Sequence, residues 1–600
     1  MLELFNKIQE LAANIQKDYT KDELFDELGL KRLKESYMRD DEQSPQDRYA
    51  FVSTAFSTDD LHAQRLYNYA SKHWLSYSTP ILSFGRDKKA LPISCFLSYM
   101  QDSAAGLVDT LSEVNWLSML GGGVGIHVGI RASDDKSVGV MPHLKVYDAA
   151  SMAYRQGKTR RGSYAPYLSI DHPDILMFLE MRKPTGDQNF KCLNLHHGIN
   201  IPDKFMEIIE NCEKNADFDD TWELKDTKTG EVVDKVSAKE IWQRILEMRM
   251  QTGEPYLWFI DTANKALPEF QKNLGLKNNG SNICSEISLA TNEERTAVCC
   301  LASLNLRYFD EWSKDPDFIF DVAEMLDNVL QYFIDNAPDT IQRAKFSAMR
   351  ERAIGVGVLG FHTYLQEHNI SFESALATSF NLRAFKHIRS HLDIANIELG
   401  EYRGSCPDAI EGGCKEPKRF SHVMALAPTA STGIIMGNIS PSCEAIRANA
   451  YRQDTMSGSF FNKNRTLDNL IKSKCADDKS LDYDEIWKSI IGNDGSVQHL
   501  DFLDDYQKDV FKTAMEIDQR WVIQHAADRQ QFIDQSQSTN VFLPPNVDIA
   551  YLHHIHFSAW KKGLKSLYYC RSDKLRKADK VSQKVERIKL DDEECLACSS

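Results

Sequence analysis

The chain has 600 residues, 42% apolar and 26% charged, which fits a globular protein with a sizeable core and excludes disordered and collagen-like classes. With 87 acidic against 71 basic residues the net charge is −16, which argues against a protein that coats DNA or an anionic membrane yet allows a local basic pocket. The N-terminus carries no signal peptide and no membrane-length apolar run occurs, so the expected compartment is reducing cytoplasm, where the thirteen cysteines serve as catalytic, metal-binding or buried thiols rather than as a disulfide framework.

The first seventy or so residues read as helices, with Phe5, Ile8, Leu11, Ala12 and Ile15 on one face at helical spacing. From Ser78-Thr79-Pro80 onward the texture changes. Short apolar runs over 93–100, 121–130 and 164–170 read as strands, separated by helical patterns over 173–182 and 238–251. This alternation predicts an α/β fold. Helical patterns return over 318–336 and 506–524, and the charged stretch 574–600, which lacks aromatics, reads as a mobile tail.

Several constellations carry chemistry. Ser281-Asn282-Ile283-Cys284-Ser285-Glu286 puts an amide, a thiol and a carboxylate at alternate positions, which in an extended segment share one face. A thiol beside a carboxylate is a poor thiolate, because like charge raises its pKa. The pattern therefore disfavours a protease-like nucleophile and suits a thiol that stays protonated and gives up a hydrogen atom; a buried structural cysteine is the plainer reading. Cys299-Cys300 follows closely, and Ser94-Cys95 lies far upstream; singly, each reads as packing. Pro428-Thr429-Ala430-Ser431-Thr432 gathers hydroxyls and backbone N–H groups that can cradle a phosphate, or serve as an ordinary cap and turn.

Cys595-x-x-Cys598 stands almost at the last residue. Its spacing suits a dithiol that exchanges with other disulfides, half of a zinc site, or chance. Tyr568-Tyr569 reads either as a core-edge pair or as a path for an electron and proton. Gly355 to Gly360 fits G-x-G-x-x-G letter for letter, but the residues before it are polar and helical where a dinucleotide fingerprint needs a buried strand, so a tightly packed turn is expected. Gly121-Gly122-Gly123 lacks the ending of a P-loop.

Jointly, from about Ser78 to the C-terminus, these residues resemble the large, catalytic subunit of a class I ribonucleotide reductase. The resemblance implies a ten-stranded α/β barrel over 78–573, with a finger loop carrying the radical cysteine, a helical region over 1–77, and a redox tail over 574–600. Cys284 corresponds to the thiyl-radical cysteine, Asn282 and Glu286 to its partners, and Cys95 and Cys299 to the thiols that reduce the substrate. Cys300, directly after Cys299, departs from the usual pattern. Cys595 and Cys598 match the shuttle that re-reduces the site, and Tyr568 and Tyr569 the dyad that relays the radical. Thr79, Ser94, Asn282, Glu286, Thr429, Ala430, Ser431 and Thr432 match substrate-binding positions; Asp102, Arg131, Gln156 and Arg160 match the site where a dNTP or ATP effector sets specificity. The N-terminus shows no ATP-cone signature, so the expectation is specificity control without an overall dATP off-switch.

The implied reaction removes the 2'-hydroxyl of a ribonucleoside diphosphate. No cofactor is expected in the chain itself, and no metal; the radical comes from a metal-containing small (beta) subunit. The expected assembly is a homodimer, with thioredoxin or glutaredoxin as reductant and no nucleic-acid polymer or membrane as partner. Two alternatives stand beside this reading: a cobalamin-dependent reductase, against which the tyrosine pair argues, and a thiol–disulfide or zinc-binding protein built on the C-terminal pair, which leaves the other motifs unexplained.

Overall fold

The computed structural model describes residues 2–87, 90–154, 162–455 and 458–572. Helices α1 (Leu2–Ala12), α2 (Glu27–Ser36), α3 (Pro45–Ala55) and α4 (Asp60–Ser71) form the N-terminal layer. Their starts are written in local sequence. Asp26 accepts from the Gly29 N–H, Ser44 and Asp47 form a reciprocal capping box, and Asp59 accepts from the His62 N–H. Such caps contribute about 1 kcal/mol each. Phe5, Ile8, Ala12 and Ile15 are buried as their spacing predicts, whereas Leu11 is 38% exposed and drops off that face.

Ten extended segments close a ring. Five are parallel neighbours in the order β1 (Cys95–Gln101), β2 (Gly123–Gly129), β3 (Ser163–Ser169), β4 (Gly198–Ile201) and β5 (Tyr256–Phe259). The other half starts at β6 (Ala297–Asn305), antiparallel to β1, and continues into β7 (Ile354–Leu359), parallel to β6. Segment 422–427 lies beside β7 through Val356 N–H to Val423 O at 2.9 Å, and segment 535–540 lies beside that through Leu426 N–H to Ser536 O at 3.0 Å. The latter runs into β8 (Val541–Leu543). The closing segment carries β9 (Ser566–Leu567), antiparallel to β5, and β10 (Cys570–Ser572), parallel to β8. Two parallel halves thus meet head to tail at two seams. A further short strand, Leu75–Tyr77, pairs with the far end of β6 and ties the helical layer to the barrel.

All nine residues of β6 are buried, the signature of a strand covered on two faces. Alternation then sorts its side chains. Ala297, Cys299 and Leu301 enter the cluster inside the barrel; Val298, Cys300, Ala302 and Leu304 join the outer core against the surrounding helices.

The strands expected over 93–100, 121–130 and 164–170 appear as β1 to β3, and the helices expected over 238–251 and 318–336 appear as Ala238–Thr252 and Phe318–Asn336. The 173–182 pattern yields only Ile175–Leu179. Two further readings are corrected. Stretch 506–524 is not one helix but two, Asp505–Val510 and Gln519–Gln530, because Thr513 and Asp518 divert their backbone N–H groups to Glu516 and Glu373, and Asp518 caps the second helix. Gly355 and Gly357 sit in strand β7 rather than a turn. The preceding helix, Gln342–Glu351, stops at Arg352 in a left-handed conformation (φ 45°), just before the strand begins. A side chain at 355 would lie 3.1 Å from Cys299 Sγ and 2.4 Å from Leu301, so glycine there keeps the barrel interior open beside the thiol. No helix among the described residues is long and apolar enough to cross a membrane.

Candidate active site

The loop between β5 and β6 enters the barrel, and its tip carries Asn282, Cys284 and Glu286. The tip is a turn, not the extended segment the alternate spacing suggests: Ser285 takes a left-handed φ of 64°. Asn282 organises it. Its side-chain oxygen accepts the N–H groups of Glu286 and Ile287 at 3.1 and 3.2 Å, and its amide donates to Glu286 Oε1 at 2.8 Å. A non-glycine residue held in that region costs about 1–3 kcal/mol and persists where its surroundings over-determine it.

Those surroundings come from several strands. Tyr167 of β3 donates to Asn282 O at 2.8 Å, Ser538 donates to Cys284 O at 2.6 Å, and Ser566 donates to Ser285 O at 3.0 Å. On the β2 side the loop backbone lies against Gly125, where a Cβ would fall 1.9 Å from Ser281 O. Gly125→Ala is therefore expected to displace the tip. Thermal unfolding of the variant should report a loss of about 1–3 kcal/mol, the usual cost of overpacking, while turnover falls far more than stability does.

Cys95 and Cys299 are direct cross-strand partners in the antiparallel β1–β6 pair. Cys95 lies 4.0 Å from Glu286 Oε1, which bridges it to the finger tip. Cys299 Sγ accepts from the Gln535 amide at 3.3 Å. Burial pushes the Cys299 thiol well up, more than the Gln535 contact pulls it down, and burial likewise raises Cys300 on the opposite face. Tyr568 Oη lies 3.5 Å from Cys284 Sγ, and its ring centroid is 4.3 Å from that of Tyr569. Tyr256 of β5 packs on them at 4.7 and 5.1 Å. Cys95, Cys284, Cys299, Tyr568 and Tyr569 all belong to one buried interior cluster.

The hydroxyl run leaves the C-terminal end of segment 422–427. Thr429 Oγ1 accepts the Ser442 N–H at 2.7 Å, and Ala430–Ile435 is a short helix with Ser431 and Thr432 buried. Arg32 of α2 donates to Ser431 Oγ at 3.1 Å, so the helical layer delivers a cation to this loop. Thr79 pairs at 3.3 Å with Tyr37, the residue that ends α2, and Ser94 precedes β1, its carbonyl accepting the Gly123 N–H at 2.8 Å. Asp102 and Arg131 follow the C-terminal ends of neighbouring strands β1 and β2, and Arg131 Nε lies 3.7 Å from Asp102 and 3.3 Å from Asp134. Gln156, Arg160, Cys595 and Cys598 lie outside the described residues. A buried His62–Asp321–Glu324 group has ligand-like spacing but is held by arginines, with Arg65 at 2.6 Å from Asp321 and Arg403 at 2.6 Å from Glu324.

Arg32, Tyr167, Tyr256, Gln535 and Ser538 carry no sequence signal. Each is a lone residue brought to the thiols, the tyrosine pair or the hydroxyl run only by the tertiary fold.

The family model for the ribonucleotide reductase barrel domain matches residues 93–412 and 407–570, and that for the all-alpha domain matches 23–90. The chain is 51% identical to the ribonucleoside-diphosphate reductase large subunit of Invertebrate iridescent virus 3, over 94% of this chain and 96% of that one. It is 31% identical to the corresponding subunit of Caenorhabditis elegans, over 97% and 82%. Among solved structures, the class Id ribonucleotide reductase alpha subunit of Actinobacillus ureae superposes with a TM-score of 0.80 at 33% identity, covering 93% of this chain and 98% of that one. A barrel with a thiol-bearing finger at its centre, and this kinship along nearly the whole length, place the chain in the ribonucleotide reductase family as one of its large, catalytic subunits.

Proposed function

We propose that this subunit reduces ribonucleoside diphosphates through a thiyl radical at Cys284. The observation that carries the reading is the 3.5 Å contact between Tyr568 Oη and Cys284 Sγ inside the barrel, with Cys95 and Cys299 paired across the adjacent seam. A Cys284 thiyl takes the 3'-hydrogen of the sugar. Glu286 accepts the 3'-hydroxyl proton as general base, and Asn282, which holds Glu286 in place, faces the departing 2'-oxygen. Cys95 and Cys299 give two reducing equivalents and close to a disulfide, for which cross-strand neighbours need only small side-chain adjustments. Burial keeps Cys299 a thiol, the form that delivers hydrogen rather than attacking as thiolate. Thr79, Ser94, Thr429, Ala430, Ser431 and Thr432 hold the nucleotide, with the Arg32 cation beside them.

Asp102 and Arg131 belong to the effector site, together with Gln156 and Arg160. The exposed apolar side chains Val108, Trp116 and Met119 on helix Ala104–Met119, and Val146 and Met152 on helix Val140–Ala153, support a homodimer formed at this face. A separate radical-generating small subunit supplies the oxidant, and Cys595 with Cys598 re-reduces the site by thiol exchange. The test is deoxynucleotide formation by the purified chain with and without that small subunit: product in its absence overturns the reading. In the complete system, Cys595→Ser combined with Cys598→Ser is expected to give about one turnover per site with thioredoxin, and renewed turnover with dithiothreitol.

A further inference from the structure

Leu567 and Cys570 join the outer core of the barrel, whereas Tyr568 and Tyr569, between them, both belong to the interior cluster. A regular strand cannot do this, because successive side chains point to opposite faces. The backbone shows how the alternation is broken. A parallel ladder takes both of its bonds from one residue. Here segment 539–541 takes the N–H of Tyr568, on Thr539 O at 2.9 Å, but the carbonyl of Tyr569, which accepts the Val541 N–H at 3.0 Å. Two residues occupy the place of one, a bulge, the device that re-aims side chains beside active sites. Both rings then stack inside, 4.3 Å between centroids, with Tyr256 against them at 4.7 and 5.1 Å.

The bulge leaves over the peptide that joins the two tyrosines, and two side chains take up its polar groups. Arg249 donates to Tyr568 O at 2.9 Å, and its Nε donates to His556 Nε2 at 2.8 Å. On the other side Asn540 Oδ1 accepts the Tyr569 N–H at 3.1 Å. Glu444 sets which way the Asn540 amide points: its Oε1 accepts Asn540 Nδ2 at 2.6 Å. A carboxylate only accepts, so the amide nitrogen faces Glu444 and the amide oxygen faces Tyr569. Glu444 is itself fixed in the turn beyond the hydroxyl run. Its N–H closes on Pro441 O at 2.9 Å, and the Ser442 N–H goes to Thr429 Oγ1 at 2.7 Å. Asn540 is only 3% exposed, so bulk water does not stand in for its oxygen.

We propose that Asn540, oriented by Glu444, is a positioning residue for the radical relay: it holds the bulge that brings both tyrosine rings to the interior face. This role rests on the relay proposed above and adds what keeps its two members stacked. Without the Asn540 oxygen, the Tyr569 N–H regains an acceptor by sliding to Thr539 O, the regular pairing, and alternation then turns one of the two rings toward the outer core. A hydrogen atom passes only between groups held at close range, and a misplacement of about 1 Å costs about 100-fold in rate.

The experiment uses the holoenzyme at saturating small subunit. Asn540→Leu removes the acceptor at nearly the same volume. Asn540→Asp combined with Glu444→Gln keeps it: one Asp oxygen accepts the Tyr569 N–H, the other accepts the Gln amide, and the charge of the pair is unchanged. The Leu variant is expected to lose about 100-fold in kcat, with KM for nucleotide and small-subunit affinity like the parent's, and the double variant to stay within about 10-fold of the parent. Parent-like kcat in Asn540→Leu, a loss matched by equal losses of nucleotide or small-subunit affinity, or a double variant as slow as Asn540→Leu would each overturn the proposal. Tyr569→Phe run alongside separates the two levels. Turnover in that variant sinks the relay itself; an inactive Tyr569→Phe beside a fully active Asn540→Leu sinks only the positioning role.

Discussion

Cys284→Ser is expected to reduce turnover by at least about 10^4-fold, equivalent to about 5 kcal/mol or more of barrier, with nucleotide binding unchanged. Tyr568 lies 3.5 Å from Sγ, and in the proposed relay a hydrogen atom passes between them because phenol O–H and thiol S–H bonds are close in strength. A serine O–H is far stronger than either, so a tyrosyl radical cannot take its hydrogen. Structurally the exchange is mild. The finger tip is fixed through backbone atoms: Ser538 holds Cys284 O at 2.6 Å and Ser536 N–H donates to Glu286 O at 2.8 Å, and neither bond involves the sulfur. Deoxynucleotide formation and substrate affinity measured on one preparation check it. Inactivity with unaltered affinity is the expected outcome; measurable turnover would place the hydrogen-abstracting atom elsewhere.

The residue types of this site are legible in the sequence; their geometry is not. N-x-C-x-E at 282, 284 and 286 names a thiol flanked by an amide and an acid, yet the inference that all three share one face of a strand fails. Asn282 spends its oxygen on two backbone N–H groups and folds the segment into a turn, a local choice that an alternating pattern does not disclose. Cys299 and Cys300 pose the reverse case. Strand alternation guarantees that they face opposite ways, but which one faces inward follows only from the register that pairs Cys299 with Cys95, just over two hundred residues distant.

The fold shows the same division. Phe318–Asn336 is readable because its periodicity and its burial coincide. The 506–524 stretch misleads because Glu373, a residue from another helix boundary, takes the Asp518 N–H and interrupts a pattern that is continuous on paper. The glycines of β7 look like a turn for want of a side chain, whereas glycine at 355 is required by neighbours, Leu301 and Ala425 with Cys299 just beyond, that local sequence does not contain. His196 and Tyr256 are the extreme case: unremarkable singly, they meet Tyr569, at 3.2 Å from its hydroxyl and 5.1 Å between ring centroids, only because β4 and β5 stand side by side and β9 closes onto β5.

Tyr568→Phe is expected to abolish turnover as completely as Cys284→Ser, and for a reason that isolates the relay from the chemistry at the sugar. The ring stays, so packing against Tyr256 at 4.7 Å and Tyr569 at 4.3 Å persists, and the main-chain bonds that register this segment, Tyr568 N–H to Thr539 O at 2.9 Å and Arg249 to Tyr568 O at 2.9 Å, do not use the hydroxyl. What disappears is the O–H that lies 3.5 Å from Cys284 Sγ. A phenylalanine ring has no oxidisable O–H, so the radical stops one residue short. The variant should therefore bind substrate, effector and small subunit like the parent, show the fall of at least about 10^4-fold expected for loss of the initiating step, and, unlike Cys284→Ser, retain a normal thiol at 284 that alkylating reagents or mass spectrometry of the unfolded chain can count. Substantial turnover in Tyr568→Phe with the small subunit present would mean that the radical reaches Cys284 by another side chain, for which Tyr256, packed on both tyrosines, is the one to replace next.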